Sequence, residues 1–243
     1  LAVAFAAADP APQQWRYGSR MAFEHHFGRR LHARQQVRIA LQVRDAQGHQ
    51  SGLARAEQFA GPAQFQIAAR YLEAVVRLAQ YAEALEGLKA LFGGKPVDDP
   101  SKEGPHIGPV VNKSQYEKIQ GLIAKGEAEG AAVVVGGAGR AEGHAAGYYV
   151  KPTVFGNVNN AMTIAREEIF GPVLVVIPYE TLDEAVTIAN DTPYGLGAYI
   201  AGDPNVAKTI VRKLRAGTVF VNAGGLDMNS PFGGYKQSGN GRE

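Results

Sequence analysis

Residues 173–179 read VLVVIPY, seven positions without a charged or amide side chain. A strand with one wet face alternates apolar and polar residues, so a strand apolar throughout must be covered on both faces. Covering both faces takes helices on either side of a sheet, brought there by crossover connections. The surrounding sequence supplies the signals for them. Thr181 and Glu184 have capping-box spacing ahead of AVTIAN. Asp203-Pro204 places a cap and then a proline at the start of a helix, expected to bury Val206, Ile210, Val211 and Leu214 and to end at Gly217. Ser114 is positioned to cap a helix with Tyr116, Ile119, Leu122 and Ile123 on one face. AAVVVGG reads as a short buried strand and GYYVKPTVFGNV as an extended stretch interrupted at Pro152. YGLGAYIAG and TVFVNA complete the strands. The alternation predicts an α/β chain with a parallel sheet.

The first part of the chain reads differently. Ten of the fifteen arginines but only one of the ten lysines, Lys89, precede Leu91. Gln and His are also concentrated there, and residues 1–68 show no sustained helical or strand period. Such an excess of Ala, Arg, Gln, His and Gly is what GC-rich DNA yields when translated out of frame. Residues 1–68 are therefore expected to be an irregular segment, out of frame or disordered, and residues 69–243 the folded domain. The alternative is a basic arm that binds nucleic acid, a non-catalytic module in its own right. The arginines are spread out with few aromatics among them, which argues against it. His25-His26 has no third ligand at a metal-site spacing. From Ala69 to Ala90, Leu72, Val75, Val76, Leu78 and Leu85 fit one face of an amphipathic helix. A Gly/Pro-rich connection comes next, from Gly93 to Pro109.

Bulk properties exclude several classes. The formal net charge is +2, so long-range electrostatics does not call for nucleic acid or an anionic membrane. The chain has no cysteine, which removes disulfides, thiolate metal ligands and any cysteine nucleophile. No window is long and apolar enough to span a membrane, and the apolar start has no basic region ahead of it. A cytoplasmic protein is expected, and a chain that begins at Leu1 and stops on a Gly-rich loop reads as cut at both ends.

Four features invite chemistry. GGAGRAEG, from Gly136, comes after a strand but leads into another extended stretch, whereas a phosphate cradle leads into a helix. PFGGYKQSGNGRE, taken alone, is a flexible turn with a buried Phe232 and a solvated Lys236. Asn112 and Asn190 begin glycosylation triplets, read as chance. The acidic pair Glu167-Glu168 stands before IFGP and the apolar strand. One reading makes it a solvated pair. The other makes one carboxylate a ligand-holding group at a sheet edge.

Five segments, taken in order, resemble the aldehyde dehydrogenase superfamily: PVDDPSKEGPHIGPVVNKSQYEKIQGLI, GYYVKPTVFGNVNNAMTIAREEIFGPVL, ANDTPYGLGAYI, LRAGTVFVN and SPFGGYKQSGNGRE. The resemblance runs from about Val97 to Glu243 and covers most of that family's C-terminal catalytic domain. It implies an α/β parallel-sheet domain of aldehyde dehydrogenase type and an NAD(P)+-dependent oxidation of an aldehyde to a carboxylic acid. By the same resemblance Glu168 contacts the nicotinamide ribose, Phe170 packs beside the nicotinamide ring, and Phe232 lines the aldehyde pocket. Asn222, with the loop AGGLDMN after it, shapes substrate choice. Glu167, Gly171 and Pro172 are scaffold.

The departures are as specific. The family's cysteine nucleophile should fall within AGPAQFQIAAR, and no Cys, Ser, Thr or Tyr stands there. LFGGK, with Leu91 where the general-base Glu belongs, is an accidental likeness. No catalytic residue is therefore expected in this chain, and no aldehyde oxidation. NAD or NADP and a small aldehyde are the cofactor and substrate of the intact parent. Apolar surface that would pack on a cofactor domain or a second subunit is expected to drive self-association.

Overall fold

A computed structural model describes residues 72–222 and 229–243, together with the backbone of residues 39–40. The expectations for residues 1–68 otherwise lie outside the described residues.

A five-stranded sheet forms the centre. β1 (Ile39–Ala40) and β2 (Leu72–Arg77) lie to one side of β5 (Val173–Tyr179), and β4 (Thr153–Gly156) and β3 (Ala132–Val135) to the other, in the order β1-β2-β5-β4-β3. β2 and β4 both pair with β5 in parallel, with Val75 opposite Ile177 and Val154 opposite Leu174. The unbroken apolar character of β5 has the expected cause. Val173, Val175, Ile177 and Tyr179 enter one core, and Leu174 and Val176 enter the other.

Helix α1 (Tyr81–Gly93) covers the second face with Ala84, Leu88 and Phe92, which join Ala74, Val76, Val154, Leu174 and Val176. Helix α2 (Lys113–Ala128) covers the first face with Ile119 and Ile123, fully buried beside Val75, Phe155 and Val175. The short helix α3 (Thr163–Arg166) and helix α4 (Leu182–Asn190) add Ile164, Ala165, Ala185, Val186 and Ala189 to that same core. Beyond them, β6 (Gly197–Ile200), helix α5 (Pro204–Ile210) and β7 (Thr218–Val221) form a parallel pair with its crossover helix.

Several expectations are corrected. The helix predicted from Ala69 begins instead as strand β2, then makes one 3-10 turn at Leu78–Gln80, with α-helix only from Tyr81. The Ala and Glu content suggested helix, but Ala74, Val75 and Val76 alternate between the two cores, and burial against β5 outweighs intrinsic propensity. AAVVVGG is a strand, but an antiparallel edge strand with Val133 40% exposed, because among the described residues only β4 pairs with it. The sheet is consequently mixed, and β6 and β7 pair with each other in a separate two-stranded sheet. α2 is capped by Asn112, whose Oδ1 accepts from Gln115 N–H at 2.8 Å, two residues before Ser114. The helix after Asp203 leaves α geometry at Ile210, passes through a 3-10 turn and is extended by Leu214, so it stops short of Gly217. Its cap is as expected, with Asp203 Oδ1 accepting from Asn205 and Val206 N–H.

Candidate functional site

The acidic pair leaves α3 on an extended backbone, Glu167 having φ −93° and ψ 144°. Successive side chains on extended chain point to opposite sides. Glu167 is accordingly exposed, while Glu168 is only 5% exposed. The segment lies at the amino end of β5, so the rule that ligands gather at the carboxyl ends of parallel strands does not by itself single it out.

The chain after Glu168 is tightly held. Ile169 is buried, and Phe170 is half-buried with φ +55°. Gly171 lies so close to α2 that a Cβ there would stand 2.7 Å from Ile119 Cδ1. Pro172 O accepts from Thr153 N–H at 2.8 Å, which ties the turn to the start of β4. Two side chains of α2, one turn apart, reach the intervening carbonyls. Gln115 Nε2 donates to Ile169 O at 2.9 Å and to Phe170 O at 3.2 Å. Lys118 Nζ donates to Glu168 O at 2.6 Å and lies 5.7 Å from the centre of the Phe170 ring. The start of α3 is held from the far end of α2, where the two Glu129 carboxylate oxygens accept from Thr163 N–H and Oγ1–H at 2.6 Å each.

Sequence reasoning missed Gln115 and Lys118. The one available signal was two polar residues at i, i+3, each next to a residue of the apolar face, Tyr116 or Ile119.

The other candidates sit elsewhere in the fold. Asn222 stands just after β7 with φ +50°, and its N–H donates to Ile200 O at 2.8 Å. Its amide closes a two-bond bracket on Gly202, Oδ1 accepting from the N–H and Nδ2 donating to the carbonyl, both at 2.8 Å. Residues 223–228, most of the loop read as shaping substrate choice, lie outside the described residues. Phe232 is half-buried and pairs through its backbone with Glu243, at 3.0 and 2.9 Å.

Lys236 is not the solvated charge expected. Its Nζ donates to Asn190 O at 2.7 Å and Thr192 O at 3.1 Å, clasping the C-terminal loop to the turn after α4. Ser238 Oγ strengthens the clasp by accepting from Gly195 N–H at 3.0 Å.

Two backbone donors of the glycine loop after β3 are engaged by the protein's own side chains. Gly137 N–H is accepted by Thr153 Oγ1 at 3.0 Å and Gly139 N–H by Gln120 Oε1 at 2.6 Å. The chain then returns through an antiparallel bridge between Arg140 and Val150. LFGGK is the end of α1, with Phe92 buried and Gly94 as the C-cap. Among the described residues no group of three His, Asp or Glu is arranged to hold a metal ion, and no helix is long and apolar enough to cross a membrane.

Comparison with known proteins bears on the fold and the family. The sequence pattern of the Aldehyde dehydrogenase family matches residues 63–243, so the likeness begins well before Val97 and takes in β2 and α1. A protein of Staphylococcus saprophyticus whose name places it among the aldehyde dehydrogenases is 49% identical over 160 residues, 65% of this chain and 34% of its own length. The chain thus spans about a third of the length of the curated relatives it matches.

Among solved structures, an aldehyde dehydrogenase from Bartonella henselae is 47% identical with a TM-score of 0.69, covering 71% of this chain and 36% of that one. Aldehyde dehydrogenase C of Pseudomonas syringae, a mutant in complex with NAD+ and octanal, gives a TM-score of 0.75 at 40% identity, covering 86% and 43%. The Mycobacterium tuberculosis enzyme with NAD+ gives 0.74 at 37% identity, with the same coverage. With the family pattern spanning nearly the whole described fold, and neighbours of this similarity sharing its architecture, this chain belongs to the aldehyde dehydrogenase family.

Proposed function

We propose that this chain is part of the catalytic domain of an NAD(P)+-dependent aldehyde dehydrogenase of the cytoplasm. In this reading Glu168 and Phe170 face the nicotinamide ribose and ring, and Phe232 and Asn222 flank the aldehyde. The observation that carries the reading is the segment between α3 and β5, which turns one carboxylate inward and fixes an aromatic ring two residues later.

The donor set fits such a cofactor. A carboxylate shielded from water is a strong acceptor for a pair of sugar hydroxyls. The flat Phe170 ring, carried on a backbone bound to α2, limits where a planar heterocycle can lie. When bound, NAD(P)+ supplies the hydride acceptor, and the protein's part is orientation and exclusion of water. The Pseudomonas and Mycobacterium structures with NAD+ support the cofactor class, and the octanal complex supports an aldehyde substrate.

The family's Gly-Gln-x-Cys should fall within AGPAQFQIAAR, which has no Cys and offers the amides of Gln64 and Gln66 but no thiol or hydroxyl. An amide cannot take the thiolate's place in attacking a carbonyl. The chain as it stands therefore binds without oxidising. Titration of the chain with NAD+ by calorimetry, and an assay of NADH formation with octanal, test both halves of this reading. The expected result is saturable binding, weakened about tenfold by Glu168→Gln as one charge-assisted acceptor is lost, and no NADH. NADH formation by the unaltered chain overturns the inactivity, and absence of binding overturns the cofactor assignment.

A further inference from the structure

We propose that Asn240 is a spontaneous modification site, at which deamidation through Gly241 puts an aspartate or an isoaspartate into the loop that carries Phe232. The chemistry stands whether or not Phe232 flanks an aldehyde.

The chain has nine asparagines, and Asn240 alone precedes a glycine. The pairing matters because deamidation begins when the backbone nitrogen of the next residue attacks the asparagine side chain. A side chain on that next residue crowds the approach and narrows the backbone angles available, and glycine has none. The surroundings leave the route open. Asn240 and Gly241 are both exposed and lie outside helix and strand. Among the described residues, neither the Asn240 side-chain amide nor the Gly241 N–H is engaged in a hydrogen bond. Other asparagines are held. Asn112 Oδ1 accepts from Gln115 N–H and Asn157 Nδ2 donates to Gly130 O, while Asn190 and Asn222 use both ends of their amides.

The attacking nitrogen must first lose its proton. The negative charge then spreads onto the Asn240 carbonyl oxygen, to which Arg242 Nη1 donates at 3.3 Å. A charged donor on that oxygen favours the deprotonated peptide. In the attack the bond from Gly241 N to Asn240 Cγ forms, the Cγ–Nδ2 bond breaks, and Nδ2 leaves as ammonia with the peptide proton. The product is a cyclic imide. Water then adds to one of the two imide carbonyls and breaks its bond to nitrogen. Opening at Cγ leaves aspartate. Opening at the main-chain carbonyl leaves isoaspartate, whose backbone is longer by one methylene.

The fold makes the longer product disruptive. Gly241 packs so closely on Gly233 that a Cβ on Gly233 would collide with Gly241 O. Beside them, Phe232 and Glu243 exchange backbone hydrogen bonds at 3.0 and 2.9 Å, and Arg242 Nη1 reaches Gly234 O at 2.7 Å. A methylene inserted at residue 240 displaces Gly241 from Gly233, and the paired backbones on either side cannot both keep their partners.

The experiment ages the 243-residue chain in mildly alkaline buffer and then digests it with trypsin, which frees the segment from Gln237 to Arg242. That peptide is expected to deamidate ahead of those carrying Asn112 and Asn157. Its rate should rise about tenfold per pH unit, as the deprotonated fraction of the nitrogen does. A Cβ at Gly241 meets nothing within 4 Å, so Gly241→Ala leaves the packing intact. It should slow the reaction about tenfold. In the isoaspartate form, separated by chromatography, hydrogen exchange at the Phe232 N–H should speed about tenfold, the worth of one net hydrogen bond, with Val175 in β5 still protected. Asn240→Asp carries the new charge on a backbone of normal length and should keep Phe232 protected.

Conversion at Asn240 no faster than at Asn112 and Asn157, or unslowed by Gly241→Ala, overturns the proposal. Unchanged exchange at Phe232 in the isoaspartate form, or an equal rise in Asn240→Asp, overturns the part assigned to the longer backbone.

Discussion

Asn222 shows how much a single amide can hold. The left-handed backbone there suits asparagine better than most other side-chain-bearing residues, and both ends of the amide are engaged with Gly202. Asn222→Ala is expected to lower stability by about 1–2 kcal/mol, through lost hydrogen bonds and backbone strain together. Asn222→Asp should cost at least as much, because it sets a carboxylate oxygen against the Gly202 carbonyl. Urea midpoints of the two variants check this, and equal midpoints for both variants and the unaltered chain refute the bracket. Gly171 poses the opposite problem, since the methyl group of Gly171→Ala would enter Ile119. That substitution should cost about 1–3 kcal/mol, the usual penalty of overpacking.

At the scale of elements, β5 and α3 make distinct predictions. Val175 and Val176 are both buried but enter different cores. Val175→Ala and Val176→Ala should each destabilise by about 2 kcal/mol, from the two methyl-sized groups each removes. A sheet covered on one face only would give one large and one negligible effect, and equilibrium unfolding distinguishes the cases. The start of α3 depends on pH. The Thr163 hydroxyl, and next the Thr163 backbone N–H, hold the Glu129 carboxyl below its ordinary value of 4.5. A carboxylate whose folded value is depressed contributes stability that is complete above the unfolded value and disappears as pH falls through the folded one. Acid titration of stability should therefore show a component below pH 4.5 that Glu129→Gln abolishes. An identical acid profile for the variant would show that the bond to Thr163 contributes nothing.

Over the whole molecule, among the described residues, the outer edge of β3 and the exposed Leu78, Val111, Val133 and Tyr235 leave apolar and strand-edge surface uncovered. We expect the chain to self-associate through such surface. Sedimentation velocity over a wide concentration range should show a rising average mass, and a monomer throughout would refute the expectation. A charged residue on the outer side of edge strand β3, as in Val133→Lys, should reduce association if that edge takes part.

The local signals of this fold were legible without coordinates. Asp203 and Thr181 cap their helices because a short polar side chain before an apolar period can do little else. VLVVIPY declared a strand covered on both faces, and the motif EEIFGP marked the segment around Glu168 through its family resemblance. The identity of β2 was not legible, because Leu72, Val75 and Val76 fit a helical face as well as a strand until parallel pairing with β5 decides between them. Nor was the sheet's division into five strands and two, since pairing partners far apart in sequence leave no trace in local periodicity. Which of Glu167 and Glu168 turns inward depended on the extended backbone after α3. That Lys236 and Lys118 bind carbonyls rather than water depended on loops brought together from 44 and 50 residues away. Sequence by itself determined the starts of α4 and α5, the twice-buried strand and the family. Only tertiary structure decided strand order, inward direction and the partners of the lysines, because those depend on long-range contacts whose energies no short stretch of chain contains.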